Sequence, residues 1–206
     1  MGSLAQALYS SRPHLEVRIM NSVSALCPTA YDDLCRLPEG ITGEILDGRL
    51  HTQPRPSGRH GLAEGGLSVR IGGAFGFSGG PGGWWIIPEP EVHFVRDTEV
   101  AVPDLAGWRR VRMPAVPDDH RFEIAPDWVC EILSPSTQRK DRAIKLPLYA
   151  RYGVAFAWLV DPDAHTLEAY ELRDGLWVLI ATLQENDSVR LPPFDAIEFA
   201  LSDLWG

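Results

Sequence analysis

Two acidic residues in apolar segments and a rare lysine are the residues of this sequence best suited to chemistry. Asp104 lies in VPDLAGW and Glu131 lies in WVCEILSPST, and most neighbours of both are apolar. An ionised carboxylate in apolar surroundings is costly unless it is paired or binds a cation. Lys145 follows in the next segment of the chain. Two carboxylates and a lysine are typical of a site that binds a divalent metal ion and acts on phosphate, although solvent exposure or structural ion pairs would explain each carboxylate alone.

The lysines stand apart because the chain has only two of them, against seventeen arginines. Lys is a compact, mobile charge, whereas Arg is a fixed planar fork, so the two are not interchangeable at a reacting centre. We interpret Lys145 as the functional cation. The alternative is a surface pair with Asp141, four residues earlier, worth only about 0.2–0.5 kcal/mol. Lys140 is expected to be a solvated charge in a loop.

Composition limits the classes to which the chain can belong. Its 206 residues are 45% hydrophobic and 23% charged, which predicts a single domain over residues 21–206 after an N-terminal extension at 1–20. No apolar stretch reaches the roughly 18 residues that cross a bilayer. Three cysteines and six histidines lack zinc-binding spacing and indicate a cytoplasmic protein. The net charge of −9 argues against a protein that coats nucleic acid, but it permits a local basic groove.

Helices are predicted at three places. Residues 29–37 predict a short helix with Thr29 as its N-cap. Residues 58–83 predict a helix that packs closely on a sheet and ends in a glycine-rich loop. The segment at 138–152 is helical in pattern, and Pro147 predicts an irregularity within it.

Strands and turns complete the set of elements that position the candidate residues. Asp47-Gly48 and Asp174-Gly175 are typical of the tight turns of two β-hairpins. Further strands are expected at WWII, PEVHFV, VAVPDLAGW, DWVCEIL and GVAFAWLVDP. Strands interleaved with helices predict an α/β or α+β fold with a mixed sheet.

Four motifs carry a resemblance to a known family: EILSPST, DxxxK, YxxxGV and WLVDP. In this order and spacing they resemble the Uma family of restriction-endonuclease-like proteins, within the PD-(D/E)XK nuclease superfamily. The likeness runs from about residue 28 to the terminal LSDLW. It implies a restriction-endonuclease-like mixed β-sheet flanked by helices, with additional β-hairpins. It also implies hydrolysis of DNA phosphodiester bonds that depends on Mg²⁺, with Mn²⁺ as a substitute.

The resemblance also implies roles for individual residues. Asp104 and Glu131 would bind the metal. The superfamily has Lys two positions after the second acid, where this chain has Leu133, on the same strand face as Glu131. Lys145 would then be the relocated equivalent. Glu44, in GEILDG, would orient the site or bind metal indirectly; a surface charge in a hairpin is the alternative.

Partners are expected from the basic residues and from the family. The basic residues predicted to contact the DNA backbone are Arg109, Arg139, Lys140 and Arg142. A homodimer is expected, with Trp84 and Trp85 as candidate interface residues. His60 and Glu91 are weaker candidates for the site, with structural roles as the alternative.

Two functions from different classes remain open at this stage. The first is a metal-dependent endonuclease. The second is a catalytically inactive module of the same fold that acts in DNA binding or protein interaction, which Leu133 and the acidic net charge favour. A glycosidase with a carboxylate pair is a distant third. Metal binding at Asp104 and Glu131 separates the first function from the second.

Overall fold

The computed structural model describes residues 29–77 and 80–205. The N-terminal extension expected at 1–20 lies outside the described residues. The strands are β1 (Ile41–Leu46), β2 (Arg49–Pro54), β3 (Trp84–Pro88), β4 (Glu91–Val95), β5 (Glu99–Ala101), β6 (Leu105–Arg109), β7 (Arg121–Phe122), β8 (Trp128–Ile132), β9 (Phe156–Asp161), β10 (Thr166–Arg173), β11 (Leu176–Gln184), β12 (Ser188–Val189) and β13 (Phe199–Ala200). The helices are α1 (Ala30–Leu34), α2 (Gly58–Leu67), α3 (Gln138–Lys140) and α4 (Leu146–Arg151), with π-helical segments at Ser68–Gly76 and Asp141–Lys145 and a terminal 3₁₀ turn at Leu201–Leu204.

Two main sheets form the framework. The first has the strand order β2-β1-β5-β4-β7, and the second has the order β11-β10-β9-β8-β6-β3. Both are mixed, because β4 runs parallel to β7 and β8 runs parallel to β9, whereas the other neighbours are antiparallel. The predicted α+β class with mixed sheets flanked by helices is therefore confirmed. No helix among the described residues is long and apolar enough to span a membrane.

The segment VAVPDLAGW crosses from one sheet to the other. The sequence predicts one strand here, which is wrong: β5 belongs to the first sheet and β6 to the second. Pro103 and Asp104 lie between them. Pro103 has no N–H to donate to a ladder, so a strand is readily interrupted at this position. Asp104 consequently lies at the junction of the two sheets.

Both predicted hairpin turns are confirmed. Asp47 and Gly48 have φ angles of 49° and 71°, and Asp174 and Gly175 have φ angles of 51° and 79°. Two successive positive φ angles are characteristic of the type I′ turn that matches the twist of the flanking strands. The first turn aligns β1 with β2 so that Glu44 pairs with His51 across the hairpin.

The segment after β8 is helical but irregular, as Pro147 predicts. It begins as α3, widens into π-helical turns at Asp141–Lys145 and continues as α4, with Pro147 in the first turn of α4. Gly153, with a φ angle of 73°, follows the end of the helix. The wide turns place Lys145 on the side that faces β8.

The hydrophobic core lies on both faces of the second sheet. Trp84 is only 3% exposed and packs against Phe194 with a ring-centroid distance of 5.0 Å. Trp85 is half-buried, and its indole N–H donates to the Met113 carbonyl. The expectation that these two tryptophans form an exposed interface is therefore wrong for Trp84, since its ring completes the core. Homodimer formation itself stays a prediction.

Candidate active site

Glu131 is a buried carboxylate with both of its oxygens engaged. It lies on β8 and is 3% exposed. The Lys145 ammonium lies 2.7 Å from its Oε2 atom, and the Tyr149 hydroxyl donates to Oε1. Both partners come from the helical segment that follows β8. The carboxylate is thus held in one orientation from two sides.

Lys145 is 1% exposed, and its ammonium group has three oxygen partners. They are Glu131 Oε2 at 2.7 Å, Glu44 Oε1 at 2.9 Å and the Val102 carbonyl at 3.0 Å. An ammonium group has three hydrogens to donate, so these partners satisfy it. A solvent-exposed pair with Asp141 is excluded by this burial. Lys145 instead connects three segments: β1, the crossing between the sheets, and β8.

Glu44 lies at the centre of a second set of contacts. It is 1% exposed, so the alternative of a hairpin surface charge is wrong. Its Oε1 atom accepts from the Val102 N–H at 3.0 Å and faces Lys145. Its Oε2 atom is paired with Lys140. Both lysines of the chain therefore contact this one carboxylate.

Lys140 is not the solvated loop charge that the sequence suggests. Its side chain is 15% exposed, and its ammonium contacts Glu44 and lies 2.5 Å from Gln53 Oε1. The sequence gives no local signal for this contact, because Glu44 lies 96 residues earlier in the chain.

Asp104 occupies the crossing between the sheets and is 8% exposed. Its Oδ2 atom accepts from the Ile132 N–H at 2.5 Å, next to Glu131 on β8. Its Oδ1 atom lies 3.1 Å from His60 Nε2, on α2. His60 and Asp104 both line a cavity of about 690 Å³. The structure thus brings Asp104, Glu131, Lys145 and Glu44 into one region, with Asp104 on the cavity wall.

Burial and charge set different protonation preferences for the acids. Burial raises the pKa of Glu131 well above 4.5, and Lys145 offsets only part of this effect. Burial also acts to raise the pKa of Glu44, but Lys145 and Lys140 outweigh it and lower the pKa below 4.5. Burial alone would lower the pKa of Lys145, whereas the facing Glu131 and Glu44 carboxylates raise it well above 10.5. Lys145 therefore stays charged.

The region holds more acidic than basic side chains. Four acids are buried there, Glu44, Asp104, Glu131 and Asp141, and the two lysine ammonium groups contact only Glu44 and Glu131 among them. Carboxylate oxygens suit Mg²⁺, which proteins usually hold with one or two carboxylates plus water and substrate phosphate. Within residues 29–77 and 80–205, no three His, Cys, Asp or Glu side chains are arranged to hold a metal ion by themselves. The donor set fits an ion shared with a substrate better than a closed structural site.

The basic residues predicted to contact DNA are dispersed. Arg109 lies at the other end of β6 from Asp104, with its guanidinium 4.5 Å from the Trp84 ring centroid. Arg142 pairs with Glu168 at 2.6 Å, whereas Arg139 is exposed. Among these four residues, Lys140 alone contacts a residue that lines the cavity, Gln53.

Two arginines that line the cavity were not predicted as site residues from the sequence. Arg55 and Arg59 line the cavity together with His60 and Asp104. The segment RPSGRH contains both arginines, and its Ser57 caps α2 by accepting from the His60 N–H. Glu91, by contrast, lies outside this cavity lining and accepts from the Tyr31 hydroxyl at 2.8 Å.

The Tyr149 hydroxyl is expected to stabilise the fold through Glu131. Replacing Tyr149 with Phe removes one donor from a buried carboxylate, which should lower the free energy of unfolding by about 1–3 kcal/mol. Tyr170→Phe is the matched control, because the Tyr170 hydroxyl donates to the more exposed Glu168 carboxylate. That control should lose roughly 1 kcal/mol or less. Urea unfolding measures the free energy of unfolding of both variants. Equal losses would contradict a stabilising role for the Tyr149 hydroxyl that comes from the burial of Glu131.

Comparisons with known proteins identify the family and the fold. A search of curated proteins finds no match. A crystal structure described as "a putative nuclease belonging to DUF820", from Anabaena variabilis ATCC 29413, is 25% identical, with a TM-score of 0.68. The match covers 86% of this chain and 98% of that one. The family model Uma2, described as "Putative restriction endonuclease", matches residues 28–202. Because that match spans most of its length, the chain belongs to the Uma2 family of restriction-endonuclease-like proteins.

Proposed function

We propose that this chain is a Mg²⁺-dependent endonuclease that hydrolyses phosphodiester bonds of DNA. The observation that carries the proposal is the buried contact of Lys145 with Glu131 and Glu44, next to a cavity whose wall includes Asp104. Two carboxylates, a lysine whose pKa is raised by its acidic neighbours and further buried acids form a suitable set for binding a divalent ion and a phosphate. Family membership and the similar nuclease structure support the same class of activity.

Each residue of the site would have a distinct role. Asp104 and Glu131 would hold the ion. When bound, Mg²⁺ would polarise the phosphate and make a water molecule more acidic. Lys145, kept protonated by its carboxylate neighbours, would stabilise the negative charge that develops on the phosphate. Glu44 would hold both lysines in place, since each of its oxygens faces one ammonium group.

DNA contacts would come from the rim of the cavity. Arg55 and Arg59 lie on the wall itself, and Lys140 lies behind Gln53. Arg139 and Arg142 follow Thr137, another lining residue, so they would contact the backbone farther out. Arg109 would make a separate contact at the distant end of β6.

The proposal is tested by measuring metal binding and cleavage on the same preparation. Mn²⁺ should bind in a titration, and supercoiled plasmid should be nicked with Mg²⁺ or Mn²⁺ but not with EDTA. Mn²⁺ binding should release protons between pH 4.5 and the raised pKa of Glu131, because the ionised carboxylate is the ligand. A chain that neither binds Mn²⁺ nor cuts DNA would instead be the inactive module. Cleavage in EDTA would exclude the metal-dependent mechanism.

A further inference from the structure

A second, smaller cavity adjoins the candidate active-site cavity. It measures about 310 Å³, and the two cavities share the lining residues Arg59, Pro162 and Asp163. The remaining lining residues are apolar or aromatic: Leu62, His165 and Trp205. None of these three takes part in the metal chemistry proposed above.

The His165 and Trp205 rings, both in the lining of this smaller cavity, stack against each other. Their rings are stacked, with a centroid distance of 5.0 Å and an interplanar angle of 4°. The His165 side chain is 39% exposed, and Leu62 is 49% exposed. A stack of this kind leaves one face of the partly exposed His165 ring free, and that face beside an exposed aliphatic side chain is suited to a planar ring from a ligand.

The backbone holds His165 in position without a ligand. Its φ angle is 52°, which is uncommon for a residue other than glycine. Its carbonyl accepts from the Glu185 N–H at 2.9 Å, and its Nδ1 atom lies 3.2 Å from Glu185 Oε2. In the preceding turn, Asp161 Oδ1 accepts from the N–H groups of Asp163 and Ala164. The ring is therefore preorganised for stacking.

Arg59 is the cation that lies between the two cavities. It pairs with Asp163 at 2.9 Å, and the two side chains are 73% and 49% exposed. An ion pair this exposed is weak, so Asp163 can be exchanged for another anion. A phosphate is a suitable replacement, because guanidinium and phosphate form charge-assisted hydrogen bonds.

We propose that the smaller cavity binds one unpaired nucleobase of the substrate strand. The base stacks beside His165 and Leu62, and Arg59 binds the phosphate that joins it to the nucleotide in the larger cavity. This assignment rests on the proposed nuclease function and makes it more specific. The preferred substrate is a strand with an unpaired nucleotide beside the cleaved bond, since a base inside a duplex cannot enter such a cavity without leaving its stack.

Abasic-site scanning of a labelled single-stranded oligonucleotide tests the proposal. Fluorescence anisotropy gives the Kd of the full chain with Ca²⁺ in place of Mg²⁺, and a gel checks that the oligonucleotide stays intact. The variants are His165→Asn, since Asn tolerates a positive φ, and Trp205→Leu as a second test. His120→Asn is the control, because His120 lines neither cavity.

The expected result is one position at which loss of the base weakens binding to the natural sequence, by about 5- to 100-fold. His165→Asn should weaken binding of the intact oligonucleotide similarly and lose nothing more at that abasic position. His120→Asn should behave as the natural sequence. Two results would overturn the subsite while leaving the nuclease proposal standing. One is a Kd that is the same at every abasic position. The other is a His165→Asn variant whose loss of affinity adds to the loss at the abasic position. No binding of the single-stranded oligonucleotide at all would also overturn the subsite, whereas plasmid nicking decides the nuclease proposal separately.

Discussion

Asp104→Asn should abolish metal-dependent nicking of plasmid DNA, with a loss of at least about 100-fold. Asn has nearly the same shape and retains an oxygen that can accept from the Ile132 N–H, so the junction of the sheets should persist. What it lacks is the negative charge that would hold the ion. Nicking rates at saturating Mg²⁺ measure the effect, and a Mn²⁺ titration should show weakened binding.

Asp174→Asn is the control for this loss. It makes the same chemical change in the turn between β10 and β11, where Asn tolerates the positive φ angle of 51°. Its nicking rate should match that of the natural sequence. Full activity in the Asp104 variant would remove Asp104 from the metal site and with it the proposed mechanism.

Lys145→Met should cause the largest loss of stability. Met fills similar space but leaves the Glu131 and Glu44 carboxylates without their shared buried cation. Breaking a buried ion pair by removing one partner costs about 3–5 kcal/mol. Urea unfolding at neutral pH measures the loss, and nicking should also be lost. Lys140→Met is the matched control, with a smaller expected cost because its side chain is 15% exposed.

The loss in Lys145→Met should depend on pH in a defined direction. Burial already raises the pKa of Glu131 above 4.5, and removing the neighbouring cation raises it further. At a pH above 4.5 the unfolded chain releases this proton while the folded chain retains it, so stability falls as pH rises. Because the folded natural sequence also retains the proton below its own raised Glu131 pKa, the deficit should shrink as the pH falls towards that pKa. A deficit that stays constant with pH would contradict a buried carboxylate as its cause.

Local signals in the sequence were sufficient to predict the turns, the caps and the irregular helix. Asp47-Gly48 and Asp174-Gly175 adopt the conformation that their residue types favour. Pro147 predicts the irregular segment correctly, because it removes a backbone donor from the helix wherever the chain folds. Such features depend on a few adjacent residues, and they are accessible from one sequence.

The contacts between distant segments were not accessible in this way. Lys140 has the pattern of a loop charge, yet it contacts Glu44, which lies 96 residues earlier in the chain. VAVPDLAGW has the pattern of one strand. It forms two strands because its two halves pair with different sheets, and that pairing depends on distant segments. The pairing of Glu131 with Lys145 could be predicted from the sequence. Leu133 stands where the superfamily has Lys, and Lys145 is the cation in the next helical segment.

Because the chain crosses between the sheets at Pro103 and Asp104, Asp104 connects the two sheets as well as being a candidate metal ligand. Its backbone belongs to the chain that leaves the first sheet, while its carboxylate is anchored to β8 of the second. Lys145 also connects the two sheets, because its ammonium donates to the Val102 carbonyl just before the crossing. A displacement of the first sheet against the second would therefore separate Glu44 from Glu131, which Lys145 joins. The geometry of the candidate site thus depends on how the two sheets dock.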